Sequence, residues 1–180
     1  MTMPRDQRNP FDVLVVDDER DIRELLTDFF RTQSFAVASA ADGRAAIREI
    51  ERAPARFGLV LTDLKLPGAD GLEVLARART VNPSTAVVIV TGYATLDSAI
   101  QAVRLGAYDY LTKPFALGQL EILLNRVVDR FQLESENRHL ARMADRRDAG
   151  EATLSAARRD ALDRRLDRLE ALIRDLSARG

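Results

Sequence analysis

The 180-residue sequence has no cysteine, no tryptophan, and only two lysines among its 27 basic residues. Without cysteine there is no disulfide, no zinc–thiolate site and no thiol nucleophile. No apolar run approaches the roughly 20 residues that a membrane-spanning helix needs. Residues Met1 to Pro10 are polar and hold no apolar core, so they do not read as a signal peptide. With 27 basic and 28 acidic residues the formal charge is -1, which gives no bulk attraction for nucleic acid or an anionic membrane. The expectation is a soluble, cytoplasmic protein that binds neither.

Aromatic residues are absent from one part of the chain. All seven Phe and all three Tyr lie between Phe11 and Phe131. The 49 residues after Phe131 hold 11 Arg, 10 Asp or Glu, two Gly and no Lys. Aromatic side chains supply the large buried areas that make a core. The reading is therefore a flexible tail over 1–10, a globular domain over 11–131, and a charged helical extension over 132–180.

In the globular part, short apolar runs alternate with helical patterns. Val13 to Val16 is an apolar run that ends in acids, and Ile22, Leu25, Leu26, Phe29 and Phe30 then recur at three and four, a helix face. Phe35 to Ala38 is a weaker strand candidate, followed by a short helix through Ala45, Ala46, Ile47 and Ile50. Gly58 to Leu61 reads as a strand, Leu72 to Ala78 as a helix, and Ala86 to Val90, apolar throughout and β-branched from Val87 on, as a buried strand. Ala99, Ile100 and Val103 mark a helix closed by Gly106, Tyr108 to Leu111 a last strand, and a helix from Leu117 carries Leu120, Leu123, Leu124, Val127, Val128 and Phe131 on one stripe. Five βα units imply an α/β fold, a doubly wound, five-stranded parallel sheet covered on both faces.

Ligands of such sheets bind outside the carboxyl ends of the strands. The residues there are Asp17 and Asp18, then Thr62 and Asp63, then Thr91, then Lys113 and Pro114. Three carboxylates on one edge repel each other unless a cation or protons neutralise them. An all-oxygen donor set without His or Cys suits Mg²⁺ rather than zinc. A carboxylate beside Mg²⁺ and a Lys can attack phosphorus and form an aspartyl phosphate. The two lysines, Lys65 and Lys113, both fall at this edge of an Arg-rich chain, which suits a site that needs a compact ammonium rather than a planar fork.

The stretches around Asp17-Asp18, Thr62-Asp63, Thr91 and Tyr108 to Phe115, in that order, resemble a bacterial response-regulator receiver domain, most of all the nitrogen-regulation activator class. The resemblance covers about Phe11 to Phe131 and implies the flavodoxin-like strand order 2-1-3-4-5. It implies that Asp63 takes phosphate from a histidine kinase. Asp17, Asp18, Asp63 and the backbone carbonyl of Lys65 would hold Mg²⁺. Thr91 and Lys113 would bind the phosphoryl group, Tyr110 would act as the aromatic switch, and Lys113-Pro114 would be a cis peptide.

Plainer readings exist for single residues: Asp17 and Asp18 as helix caps, Thr91 as a cap, Tyr110 as core packing, Lys65 as a surface charge. His139, the only histidine, reads as a solvated helix-face residue. An Asp-based phosphatase is disfavoured because the position of its second Asp is Lys65. No Gly-rich turn follows the first strand, as a nucleotide-binding module would need. The chain is expected to be no enzyme beyond self-phosphorylation or self-dephosphorylation.

Behind the globular part, Leu162, Leu166, Leu169, Ile173 and Leu176 form a short coiled-coil seam. Leu133, Asn137, Leu140 and Ala144 form a weaker one, with a break near 148–151 between them. The length leaves no room for a helix-turn-helix domain with its own core, and there is no ATPase phosphate loop. The expected output is protein–protein contact by the receiver and its tail in a phosphorelay, with a homodimer through either surface in keeping with it. The alternative is a DNA-binding or other regulator that acts through the C-terminal helices.

Overall fold

The computed structural model describes residues 9–141. The chain divides into two compact units, Met1–Phe131 and Gln132–Gly180. In the first, β1 (Asp12–Val16), α1 (Arg20–Thr32), β2 (Val37–Ala40), α2 (Gly43–Arg52), β3 (Phe57–Thr62), α3 (Gly71–Val81), β4 (Ala86–Thr91), α4 (Leu96–Arg104) and β5 (Asp109–Thr112) follow in order, and a fifth helix, α5, begins at residue 117. Residues 132–141 of the second unit are helical, with Leu133, His139 and Leu140 exposed. The seam from Leu162 to Leu176 and the break near 148–151 lie outside the described residues.

The five strands form one parallel sheet of order β2-β1-β3-β4-β5. This is the doubly wound order expected from the alternation of strands and helices. β3 is central, and β3 and β4 are buried along their whole length, as apolar runs without alternation require. Each face of the sheet has its own core. One holds Val13, Val15, Leu59, Leu61 and Val88 with Phe30 of α1 and Leu120, Leu123 and Val127 of α5. The other holds Leu14, Val16, Val60 and Ile89 with Ile50 of α2 and Val74 and Leu75 of α3.

Two boundaries differ from the sequence reading. β2 lies two residues later than Phe35 to Ala38. Ser34 takes φ 66°, and Phe35 is spent on the core, its ring 5.2 Å from that of Phe11. Along α4, Ala102 is buried, whereas Leu96, Ile100 and Val103 are exposed.

Candidate functional site

Register brings the strand ends level. Val16 pairs with Thr62 across β1 and β3. The Asp63 N–H donates to the Val16 carbonyl at 2.9 Å, and the Asp17 N–H to Ala40 at 3.2 Å. Ladder bonds therefore fix the backbones of both acids side by side at the carboxyl edge. Thr91 pairs with Thr112, and the Lys113 N–H donates to the Thr91 carbonyl at 2.9 Å. The peptide between Lys113 and Pro114 is cis.

Carboxylate oxygens of Asp17, Asp18 and Asp63 lie within 4.8 Å of one another. Asp17 is 1% exposed and Asp63 3%, whereas Asp18 faces solvent. Lys113 Nζ stands 2.8 Å from Asp63 Oδ2, 2.8 Å from Asp17 Oδ2 and 3.0 Å from Glu19 Oε1. Backbone N–H groups hold the other oxygens: that of Glu19 donates to Asp17 Oδ1 at 2.9 Å and that of Lys65 to Asp63 Oδ1 at 3.2 Å.

Burial pushes the Asp17 carboxyl above the usual carboxylate range, against the pull of Lys113. For Lys113, burial acts to lower the ammonium, but hydrogen bonds to the surrounding carboxylates outweigh it and hold it well above the usual lysine value. The lysine is thus a permanent cation at neutral pH.

Despite its ion pair, Asp17 Oδ2 is buried and accepts no aligned hydrogen bond. A buried, charged oxygen that has an ion pair but no aligned hydrogen bond, beside two more carboxylates, is costly unless a further cation reaches it. An all-oxygen, anionic donor set of this kind fits a hard divalent ion. Among the described residues this is the one group of acids close enough to hold one.

The remaining residues rim the pocket. Thr91 is fully buried, and its Oγ1 accepts from the Tyr93 N–H at 3.1 Å. Lys65 is exposed, with its ammonium 3.8 Å above the centre of the Tyr93 ring. Tyr110 stands further out on β5, its hydroxyl 2.9 Å from Ser98 Oγ near the start of α4. Neither Asp17 nor Asp18 caps α1: the N-cap is Glu19.

Comparison with known proteins agrees with this arrangement. The model of the response regulator receiver domain matches residues 13–125. The chain belongs to the receiver domain family. It is 35% identical over 128 residues to the regulatory protein AtoC of Escherichia coli, covering 71% of this chain and 27% of that protein. It is 33% identical over 133 residues to the C4-dicarboxylate transport transcriptional regulatory protein DctD of Rhizobium meliloti, covering 74% of this chain and 28% of that one. A receiver domain protein from Clostridium thermocellum superposes with a TM-score of 0.64 at 31% identity, over 68% of this chain and 98% of that one.

The chain spans about a quarter of the length of the curated relatives it matches. Receivers take phosphate from histidine kinases and bind Mg²⁺ at their acidic pocket. No described helix of this receiver is long and apolar enough to cross a membrane.

Four residues at the pocket were not singled out from the sequence. Glu19 reaches Lys113, Tyr93 takes the Lys65 ammonium, and Ser98 holds Tyr110. Arg23 Nη1 donates to the Asp17 and Asp18 carbonyls at 2.7 and 3.3 Å. Only Glu19 left a visible signal, as a third acid directly after Asp17-Asp18.

Proposed function

We propose that this receiver is switched by phosphorylation of Asp63. An Asp63 carboxylate oxygen attacks the phosphorus of a kinase phosphohistidine. The P–N bond breaks, its electron pair stays on the imidazole nitrogen, and the products are an aspartyl phosphate and a free histidine. Lys113 balances the charge of the phosphoryl oxygens, and the Thr91 hydroxyl donates to one of them. Asp17, Asp18, Asp63 and the backbone carbonyl of Lys65 would hold Mg²⁺, whose charge assists transfer of the phosphoryl group.

The observation that supports this most is the setting of Asp63: buried, at the end of the central strand, 2.8 Å from Lys113 and within 4.8 Å of two further acids. Movement of Thr91 toward the phosphoryl group draws Tyr110 away from Ser98 and alters the face of α4, where Leu96, Ile100 and Val103 are exposed. Such an apolar face suits protein–protein output, to a partner or a second copy.

The test is labelling by acetyl phosphate with Mg²⁺. The native chain should take up acid-stable, base-labile phosphate and Asp63→Ala none; equal labelling of both contradicts the proposal. One observation favours a second reading of the output: DctD is named as a transcriptional regulator. A salt-sensitive gel shift of the full chain on duplex DNA would support DNA binding.

A further inference from the structure

Lys113 is shared by three carboxylates that differ in how firmly they are held. Asp17 and Asp63 are buried, fixed by the strand ends and by backbone N–H groups. Glu19 is different: its side chain is 61% exposed and meets Lys113 at 3.0 Å. Glu19 is also the N-cap of α1, yet its side chain makes no capping bond to that helix. An acid at an N-cap ordinarily accepts from the first helical N–H groups. This one extends instead to the site lysine, 94 residues away in sequence.

An ammonium carries three N–H donors; Lys113 Nζ donates to Asp63 Oδ2 and Glu19 Oε1, and Asp17 Oδ2 crowds it as an ion-pair contact at 2.8 Å. A phosphoryl oxygen arriving on Asp63 needs a donor from that ammonium. Asp17 is buried, and the Glu19 N–H holds its Oδ1 in place. Glu19 can swing into water at small cost, because an exposed ion pair is weak.

We propose that Glu19 is a placeholder. It occupies one Lys113 donor in the unphosphorylated receiver and is displaced by the phosphoryl group, so it sets how readily the site accepts phosphate. Glu19 is thus a positioning residue that acts through Lys113. The inference rests on the proposal that Asp63 carries the phosphoryl group.

The test is the affinity for beryllofluoride at saturating Mg²⁺, followed by NMR, for the native chain, Glu19→Gln and Glu19→Asp. Saturating metal keeps changes in Mg²⁺ affinity out of the comparison. Glu19→Gln removes the charge, whereas Glu19→Asp keeps it but is one methylene too short to reach Lys113. Both should bind about two- to fivefold more tightly than the native chain, the range an exposed ion pair is worth. A gain confined to Glu19→Gln would mean a general field effect and overturn displacement, as would no gain in either. Failure of the native chain to bind beryllofluoride at all would instead strike at the phosphoacceptor proposal. Neither substitution removes a helix cap, so thermal unfolding should be nearly unchanged.

Discussion

Lys113 Nζ lies 2.8 Å from Asp63 Oδ2 across fifty residues of sequence, and 12% of the lysine side chain is exposed. That pair ties the end of β5 to the end of the central strand. Its removal leaves the buried carboxylates of Asp17 and Asp63 facing each other without a counter-charge. Lys113→Ala should therefore cost about 3 kcal/mol of stability in metal-free protein, read by urea unfolding, with part of it restored by Mg²⁺. Lys113→Arg should not rescue function, because a planar fork does not fit the space of a point charge. Native-like stability of metal-free Lys113→Ala would contradict this account.

Asp17 gives a pH dependence. Its folded pKa is raised by burial, so the folded state holds its proton more tightly than the unfolded chain. The contribution to stability is present below the unfolded value and is lost as pH rises through the folded one. Asp17→Asn should raise the Tm of metal-free protein at neutral pH and flatten this part of its pH profile. With Mg²⁺ the order should reverse, since bound ligand stabilises only the native chain. Mg²⁺ affinity should also fall on mild acidification as protons compete for Asp17. Calorimetric scans at several pH values, with and without Mg²⁺, check all three outcomes.

Gly71 is held to its identity by a close approach. A Cβ there would stand 2.1 Å from the Asp63 carbonyl oxygen, while the Gly71 N–H donates to the Leu64 carbonyl at 2.9 Å. Alanine would gain up to about 1 kcal/mol in helix propensity. The clash is with backbone and should cost about 1–3 kcal/mol, so the clash wins. Because Asp63 itself must move, Gly71→Ala should lower Mg²⁺ affinity more than an equally destabilising change in the core, such as Ile50→Val. Equal effects of the two on Mg²⁺ affinity would count against it.

The sheet and the acid pocket were legible because both follow from local pattern. Val87 to Val90 has no alternation and must be buried on two faces, and Asp17 and Asp63 each follow such a run, so a parallel sheet brings them together. The partners of long side chains were not legible. Glu19 reads as one more acid near a helix start, and nothing in its neighbours announces a bond to Lys113. Periodicity placed Ile100 and Val103 on one stripe of α4 but does not say what covers a stripe, and in the described structure both are exposed. β2 shifted because Phe35 is as apolar as a strand residue and its role as a core aromatic beside Phe11 is a tertiary fact.

The central claim is that Asp63 carries the phosphoryl group. Borohydride reduces an aspartyl phosphate to homoserine, so the most direct measurement is peptide mapping after treatment with acetyl phosphate, Mg²⁺ and borohydride. The account predicts homoserine at position 63 alone, absent without Mg²⁺. Homoserine at Asp17 or Asp18, or an unmodified Asp63 in chain that has taken up phosphate, would contradict it.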